Sequence, residues 1–251
     1  MKIGIVGKGG VGKTTLSALI SKTYAERGKR VVAIDTDSNP NLGMSLGLTL
    51  EEAEAIPVIP RRLVLGTDPG TTPTDLLAEY GRSTESGVRL LSAMRVDQAG
   101  AGCTCSSHAS VRSILGAALE EEADITLVDM EAGLEHLSRS GGTLAYADVL
   151  VAIMEPSRKS VITVARTVAL ANELGIARTV GVGNKARLPA DQEFFERLCA
   201  EHGVELAAVI PYHQDVVDAD RAGTGLDRGN GAEVRAAVSR LLDFLDRVPV
   251  G

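Results

Sequence analysis

The stretch Lys2-Ile3-Gly4-Ile5-Val6-Gly7-Lys8-Gly9-Gly10-Val11-Gly12-Lys13-Thr14 decides the fold. Lys2–Val6 is a short, near-continuous apolar run, the pattern of a strand covered on both faces. Gly7–Thr14 fits G-x-x-x-x-G-K-[ST]. Leu16, Leu19, Ile20 and Thr23 then recur at helical spacing. In a strand–loop–helix of this kind the glycines let successive backbone N–H groups curl around phosphate oxygens. The helix N-terminus adds its partial positive charge. Gly9, Gly10, Val11, Gly12, Lys13, Thr14 and Thr15 are therefore expected to cradle the phosphates of a nucleotide. Lys13 reaches the β/γ-phosphates, and the Thr14 hydroxyl binds Mg²⁺.

Outward from this stretch, similar runs recur at Arg30–Ile34, Val88–Leu91, Ile125–Asp129, Val149–Met154, Thr179–Val182 and Leu206–Ile210. Helical patterns separate them, for example Val111, Ile114, Leu115, Ala118 and Leu119, or Val161, Val164, Ala165 and Val168. This alternation predicts an α/β fold: a doubly wound, mostly parallel sheet of about seven or eight strands, the P-loop NTPase class. One domain over 1–251 is expected, with 45–86, rich in Pro, Gly and Thr, as an irregular insertion. The last helical stretch, Gly231–Val248, carries balanced charge. That predicts packing on the sheet rather than binding to a membrane surface.

The 251 residues carry 26 basic and 33 acidic side chains, a formal charge of −7, which weighs against a general nucleic-acid binder. No apolar run approaches the ~20 residues of a membrane span, and no secretory signal is read at the start. Three cysteines cannot all pair within one chain. Their scarcity predicts a reducing, cytoplasmic setting.

Carboxylates at the carboxyl ends of parallel strands point into the ligand crevice. Asp35-Thr36-Asp37 ends one strand. Asp129 ends another and matches a Walker B carboxylate acting on Mg²⁺. Asn184-Lys185 follows a third, where GTPases carry Asn-Lys-x-Asp. Arg187 stands in place of that Asp, so guanine would lose its charged partner and ATP is the expected nucleotide. Asn184 is still expected to contact adenine, with Lys185 also in the nucleotide site, and Pro211 and Tyr212 either line the base pocket or simply end a strand.

Gly102-Cys103-Thr104-Cys105 precedes a predicted helix. Residues two apart on an extended backbone point the same way, so both thiolates can face one ion. Cys103 and Cys105 are half of a tetrahedral thiolate site, which a two-fold dimer would complete. A strained intraloop disulfide or two inert buried thiols are the alternatives. His108 is either an extra ligand or a helix-start residue, and Cys199 reads as core filler.

The loop Lys8–Thr15, with a second lysine directly after its first glycine, resembles the deviant Walker A of the MinD/ParA and nitrogenase-iron-protein superfamily. Together with Gly102–Cys105 and Asp129-Met130-Glu131-Ala132-Gly133-Leu134-Glu135-His136, the chain resembles the CooC-type accessory ATPases of carbon monoxide dehydrogenase maturation. Glu131 stands where MinD and ParA relatives usually have proline. Ser106-Ser107 departs from the Pro-Glu expected after the cysteines.

The resemblance implies that Lys8 contacts phosphates across a homodimer interface. It implies that Asp37, in switch I, positions the attacking water or the metal shell, and that the Gly133 N–H approaches the γ-phosphate. It further implies Ni²⁺ or Zn²⁺ shared between two chains, with carbon monoxide dehydrogenase as the nickel-receiving client. Glu131, Glu135 and His136 either relay switch II to the metal loop, meet the client, or form a salt-bridged surface turn. A positioning ATPase of the MinD/ParA kind leaves the cysteine pair without work. A nitrogenase-like reductase would hold its cluster with well-separated cysteines. An Fe–S or metal carrier with another client shares most of the same features.

Overall fold

A computed structural model describes residues 1–60, 72–93, 122–130, 147–226 and 229–247. The predicted helix at Val111–Leu119 lies outside them. So do Cys103, Cys105, His108, Glu131, Gly133, Glu135 and His136.

Eight strands form one sheet: β1 Lys2–Gly7, β2 Val31–Asp35, β3 Arg82–Ser83, β4 Val88–Ser92, β5 Ile125–Asp129, β6 Val149–Met154, β7 Thr179–Ala186 and β8 Leu206–Pro211. Their order is β3-β4-β2-β5-β1-β6-β7-β8. Every neighbouring pair is parallel except β3/β4. The helices among the described residues are α1 Lys13–Glu26, α2 Leu42–Ser45, α3 Leu50–Glu54, α4 Pro73–Tyr80, α5 Arg158–Glu173, α6 Pro189–Glu201, α7 Gln214–Ala222 and α8 Ala232–Leu245.

The period-two alternation of the strands sorts the core into two layers. Ile3, Ile5, Ala33, Leu127 and Val151 pack with Leu16, Ile20 and Tyr24 of α1 and with Val238, Leu241 and Leu245 of α8. Val6, Val32, Ile34, Val128 and Ala152 pack on the other face with Val161 and Val164 of α5 and with Phe195 and Leu198 of α6. Cys199 is buried in this second layer, and burial pushes its thiol up to about 11. It is core filler, as its position on an amphipathic helix predicts.

The apolar stripe of α8 is spent on α1 and β8, where Val234, Ala237, Val238, Leu241, Leu242 and Leu245 are all buried. Polar contacts fix the same joint. The Tyr24 hydroxyl donates to Asp246 at 3.0 Å, and Arg27 donates to both Asp243 and Asp246. Among the described residues no helix is long and apolar enough to cross a membrane.

The stretch 45–86 carries regular elements in its described parts. Capping boxes at Thr49/Glu52 and Thr72/Asp75 start α3 and α4. Each satisfies two helix-terminal N–H groups with one short motif. Leu76, Leu77 and Tyr80 of α4 bury against the second layer.

Candidate nucleotide site

β1 and its neighbours aim everything at one edge of the sheet. Ile5 is in register with Asp129, and Asp35 with the same Asp129, so the ends of β1, β2 and β5 come together. The phosphate loop leaves β1 at Gly7 and enters α1 through Gly12, which has φ 97°. No side-chain oxygen caps the first turn of α1. This start, unlike those of α3 and α4, is built without a capping side chain, as helix starts that take a phosphate are. Lys13 is 9% exposed, and its ammonium donates to the Lys8 carbonyl at 3.4 Å, lying back along the loop it is expected to serve. Lys8, Gly9 and Gly10 are exposed.

Beneath the loop the expected Mg²⁺ residues meet. Thr14 and Ser17 both donate hydroxyl hydrogen bonds to the Asp129 carboxylate, Ser17 at 3.0 Å. A hydroxyl and a buried carboxylate side by side are hard oxygen donors of the kind Mg²⁺ takes. Burial pushes the Asp129 carboxyl up, to about 6, and the Asp37 charge adds to this. The two hydroxyls and the Lys13 charge pull it back. Asp37 lies just beyond β2, and its carboxylate accepts from the Asn39 amide at 2.9 Å.

On the far side of the loop, a cavity of about 180 Å³ is lined by Gly12, Thr15, Asn184, Lys185, Arg187, Pro211 and Tyr212, among others. Asn184, Lys185, Pro211 and Tyr212 are thus brought to one cavity. Two of them also hold the loop. The Asn184 amide donates to the Val11 carbonyl at 2.8 Å, and the Lys185 ammonium to the Gly10 carbonyl at 2.6 Å. Lys185 sits at φ 61°, where β7 falls out of register with β8. That bulge turns its side chain back across the site. Asn184→Ala would leave the buried Val11 carbonyl without its partner. It is expected to weaken ATP binding roughly 10-fold in a fluorescence titration.

Arg187 does more than remove an acidic partner for guanine. Its guanidinium stacks 3.8 Å from the centroid of the Tyr212 ring and builds one wall of the pocket. Sequence reasoning misses this pair, as it misses Ser17. Ser17 stands three residues after Thr14, on the same helical face, and that spacing is the signal that could have found it.

Residues 4–226 match the family model described as the CobQ/CobB/MinD/ParA nucleotide binding domain. The chain belongs to this family. It is 35% identical over 235 residues to the carbon monoxide dehydrogenase accessory protein CooC of Rhodospirillum rubrum, covering 89% of this chain and 88% of that protein. An ATP-binding protein of Methanocaldococcus jannaschii is 31% identical over 237 residues, covering 89% and 90%. The resemblance to the CooC-type accessory ATPases thus extends along nearly the whole chain.

Among solved structures, the Pyrococcus horikoshii septum site-determining protein MinD, complexed with Mg-ADP, superposes with a TM-score of 0.74 at 20% identity, covering 98% of this chain and 96% of that one. The cell division ATPase MinD of Pyrococcus furiosus gives 0.73 at 19%, covering 99% of both chains. The fold is that of the P-loop ATPases of this family, with one antiparallel strand at the edge of an otherwise parallel sheet.

Proposed function

We propose that the chain is an ATP-hydrolysing maturation factor that dimerises with ATP and Ni²⁺ or Zn²⁺ and supports nickel insertion into carbon monoxide dehydrogenase. The observation that carries this reading is the match to CooC over nearly the whole of both chains. The phosphate cradle supports the ATPase half of it. Lys13 reaches the β/γ-phosphates, while Thr14 and Asp129 hold Mg²⁺, which would neutralise charge building on the phosphates. Asp37 orients the attacking water, and the Gly133 N–H senses the γ-phosphate. Asn184, Lys185, Pro211 and Tyr212 hold the base, and Lys8 reaches into the partner's site.

Cys103 and Cys105 supply half of a four-thiolate Ni²⁺ or Zn²⁺ site, and a second copy supplies the rest. ATP and metal then favour the same closed homodimer, so each raises affinity for the other. Loss of the γ-phosphate releases the switches, the interface relaxes, and the ligand set splits between two chains. The metal is cargo, handed to the client in the reducing cytoplasm.

The test is the solution mass and metal content of wild type and of the Cys103→Ser/Cys105→Ser double variant, each with and without Ni²⁺ or Zn²⁺. About one ion per two chains, lost in the variant together with metal-induced dimerisation, is expected. An ATP-driven dimer that binds no metal and ignores the cysteines would overturn the reading in favour of a positioning ATPase.

A further inference from the structure

Asp35 ends β2 and is 2% exposed, and it is outside the set of groups assigned above to nucleotide or Mg²⁺. Both oxygens of its carboxylate are used, and both on the same loop. Oδ1 accepts from the Asp37 amide at 3.0 Å, and Oδ2 accepts from the Leu42 amide at 3.0 Å. Those two amides bracket Ser38-Asn39-Pro40-Asn41.

Leu42 opens α2, whose N-cap residue Asn41 makes no side-chain cap. Asp35 therefore supplies from the core the helix-start acceptor that Asn41 does not. On the other side the strand end is itself anchored. The Thr36 amide and hydroxyl both donate to the Asp129 carbonyl, at 3.1 and 2.8 Å. The carboxylate thus stands between a fixed point on β5 and both ends of the segment that carries Asp37. A buried carboxylate is an expensive way to close a surface turn, which a Ser or Asn side chain closes at the surface elsewhere. Its two acceptors, rigidly related through one sp² carbon, set the spacing of the two amides.

We propose that Asp35 is a positioning residue for hydrolysis: it ties both ends of the 37–42 loop so that the Asp37 side chain is held at a fixed place relative to Thr14 and Asp129. Asp35 itself touches neither nucleotide nor water. The proposal rests on the reading of Asp37 as the switch I residue.

The test compares Asp35→Asn with Asp37→Ala in the full chain. It measures steady-state ATP hydrolysis, thermal melting, and amide hydrogen exchange of Asp37 and Leu42. Asparagine keeps the shape and one acceptor, and puts an N–H₂ against the other amide. Asp35→Asn is expected to lower kcat by about 10- to 100-fold, the scale of a small misplacement of a reacting group. KM for ATP should stay within about twofold, because the phosphate loop is untouched. Exchange at Asp37 and Leu42 should quicken while the strand amides keep their protection.

Wild-type kcat in Asp35→Asn beside an inactive Asp37→Ala overturns the positioning role alone. Wild-type kcat in Asp37→Ala overturns the switch I reading instead. A loss of kcat, ATP affinity and melting temperature together assigns Asp35 to folding and overturns the proposal. Should the variant be insoluble, the wild type decides. Protected Asp37 and Leu42 amides in the nucleotide-free protein support the tie, and unprotected ones overturn it.

Discussion

Gly7→Ala is expected to abolish nucleotide binding, with ATP affinity falling by more than about 100-fold and stability by roughly 3 kcal/mol. Two independent observations set this size. Gly7 has φ 151°, in the region L side chains rarely adopt. A Cβ there would stand 2.6 Å from the Ile153 carbonyl oxygen and 3.1 Å from Val11 Cγ2. The carbonyl cannot step aside. Ile153 is fully buried on β6, between β1 and β7, and is the register partner of Gly7. The strain would therefore fall on the start of the phosphate loop, whose N–H groups must converge on one anion.

Gly10→Ala provides the internal contrast. Gly10 also has positive φ, 78°, but nothing lies within 4 Å of an added Cβ. Only the backbone cost of about 1–2 kcal/mol applies there. Thermal melts and a fluorescent-ATP titration of the two variants should rank Gly7→Ala well below Gly10→Ala. The reverse order would contradict the close packing of β1 on β6.

The elements legible in the sequence are those whose burial is complete. β1, β2, β5 and β6 are covered on both faces, so hydrophobicity alone marks them out. The phosphate loop adds a spacing that only one local geometry satisfies. β3 is two exposed polar residues, and its place at the sheet edge is set by pairing with β4, so no local pattern reveals it. α3 and α4 are short and sit in a Gly/Pro/Thr-rich stretch. Their signal was the pair Thr49…Glu52 and Thr72…Asp75, visible only to a search for capping boxes.

The site divides in the same way. Lys13, Thr14 and Asp129 follow from motif and strand end. Asn184 lines the cavity beside the phosphate loop, where its strand-end position puts it. Its bond to Val11 spans 173 residues, and a spacing argument has no access to such a partner. Asp35 reads as the polar end of a strand, with Asp37 two residues on drawing the functional assignment. Only the three-dimensional path of the 37–42 loop shows that Asp35 faces it from below.

The same burial makes a second large effect, on stability. In the Mg²⁺-free, nucleotide-free chain, stability is expected to fall as pH rises from about 4 to about 7, so far as Asp35 and Asp129 govern it. Burial pushes the Asp35 carboxyl up to about 7, and the neighbouring Asp129 charge pushes the same way. The Leu42 and Asp37 amides oppose them. Asp129 is raised, chiefly by burial, to about 6. In the unfolded chain both titrate near 3.9.

Between those values the folded state holds protons the unfolded state has released, so the number bound is greater when native and stability declines with pH. Asp124 runs the opposite way. Its hydrogen bonds from Arg30 hold its carboxyl down at about 2, so its contribution is present above about 4 and fades as pH falls toward 2. Melting temperatures in a chelator from pH 4 to pH 8 should therefore peak on the acid side and fall toward pH 8. Asp35→Asn, which has no proton to lose, should flatten that fall. A wild-type profile that rises steadily to pH 8 would overturn this account of Asp35.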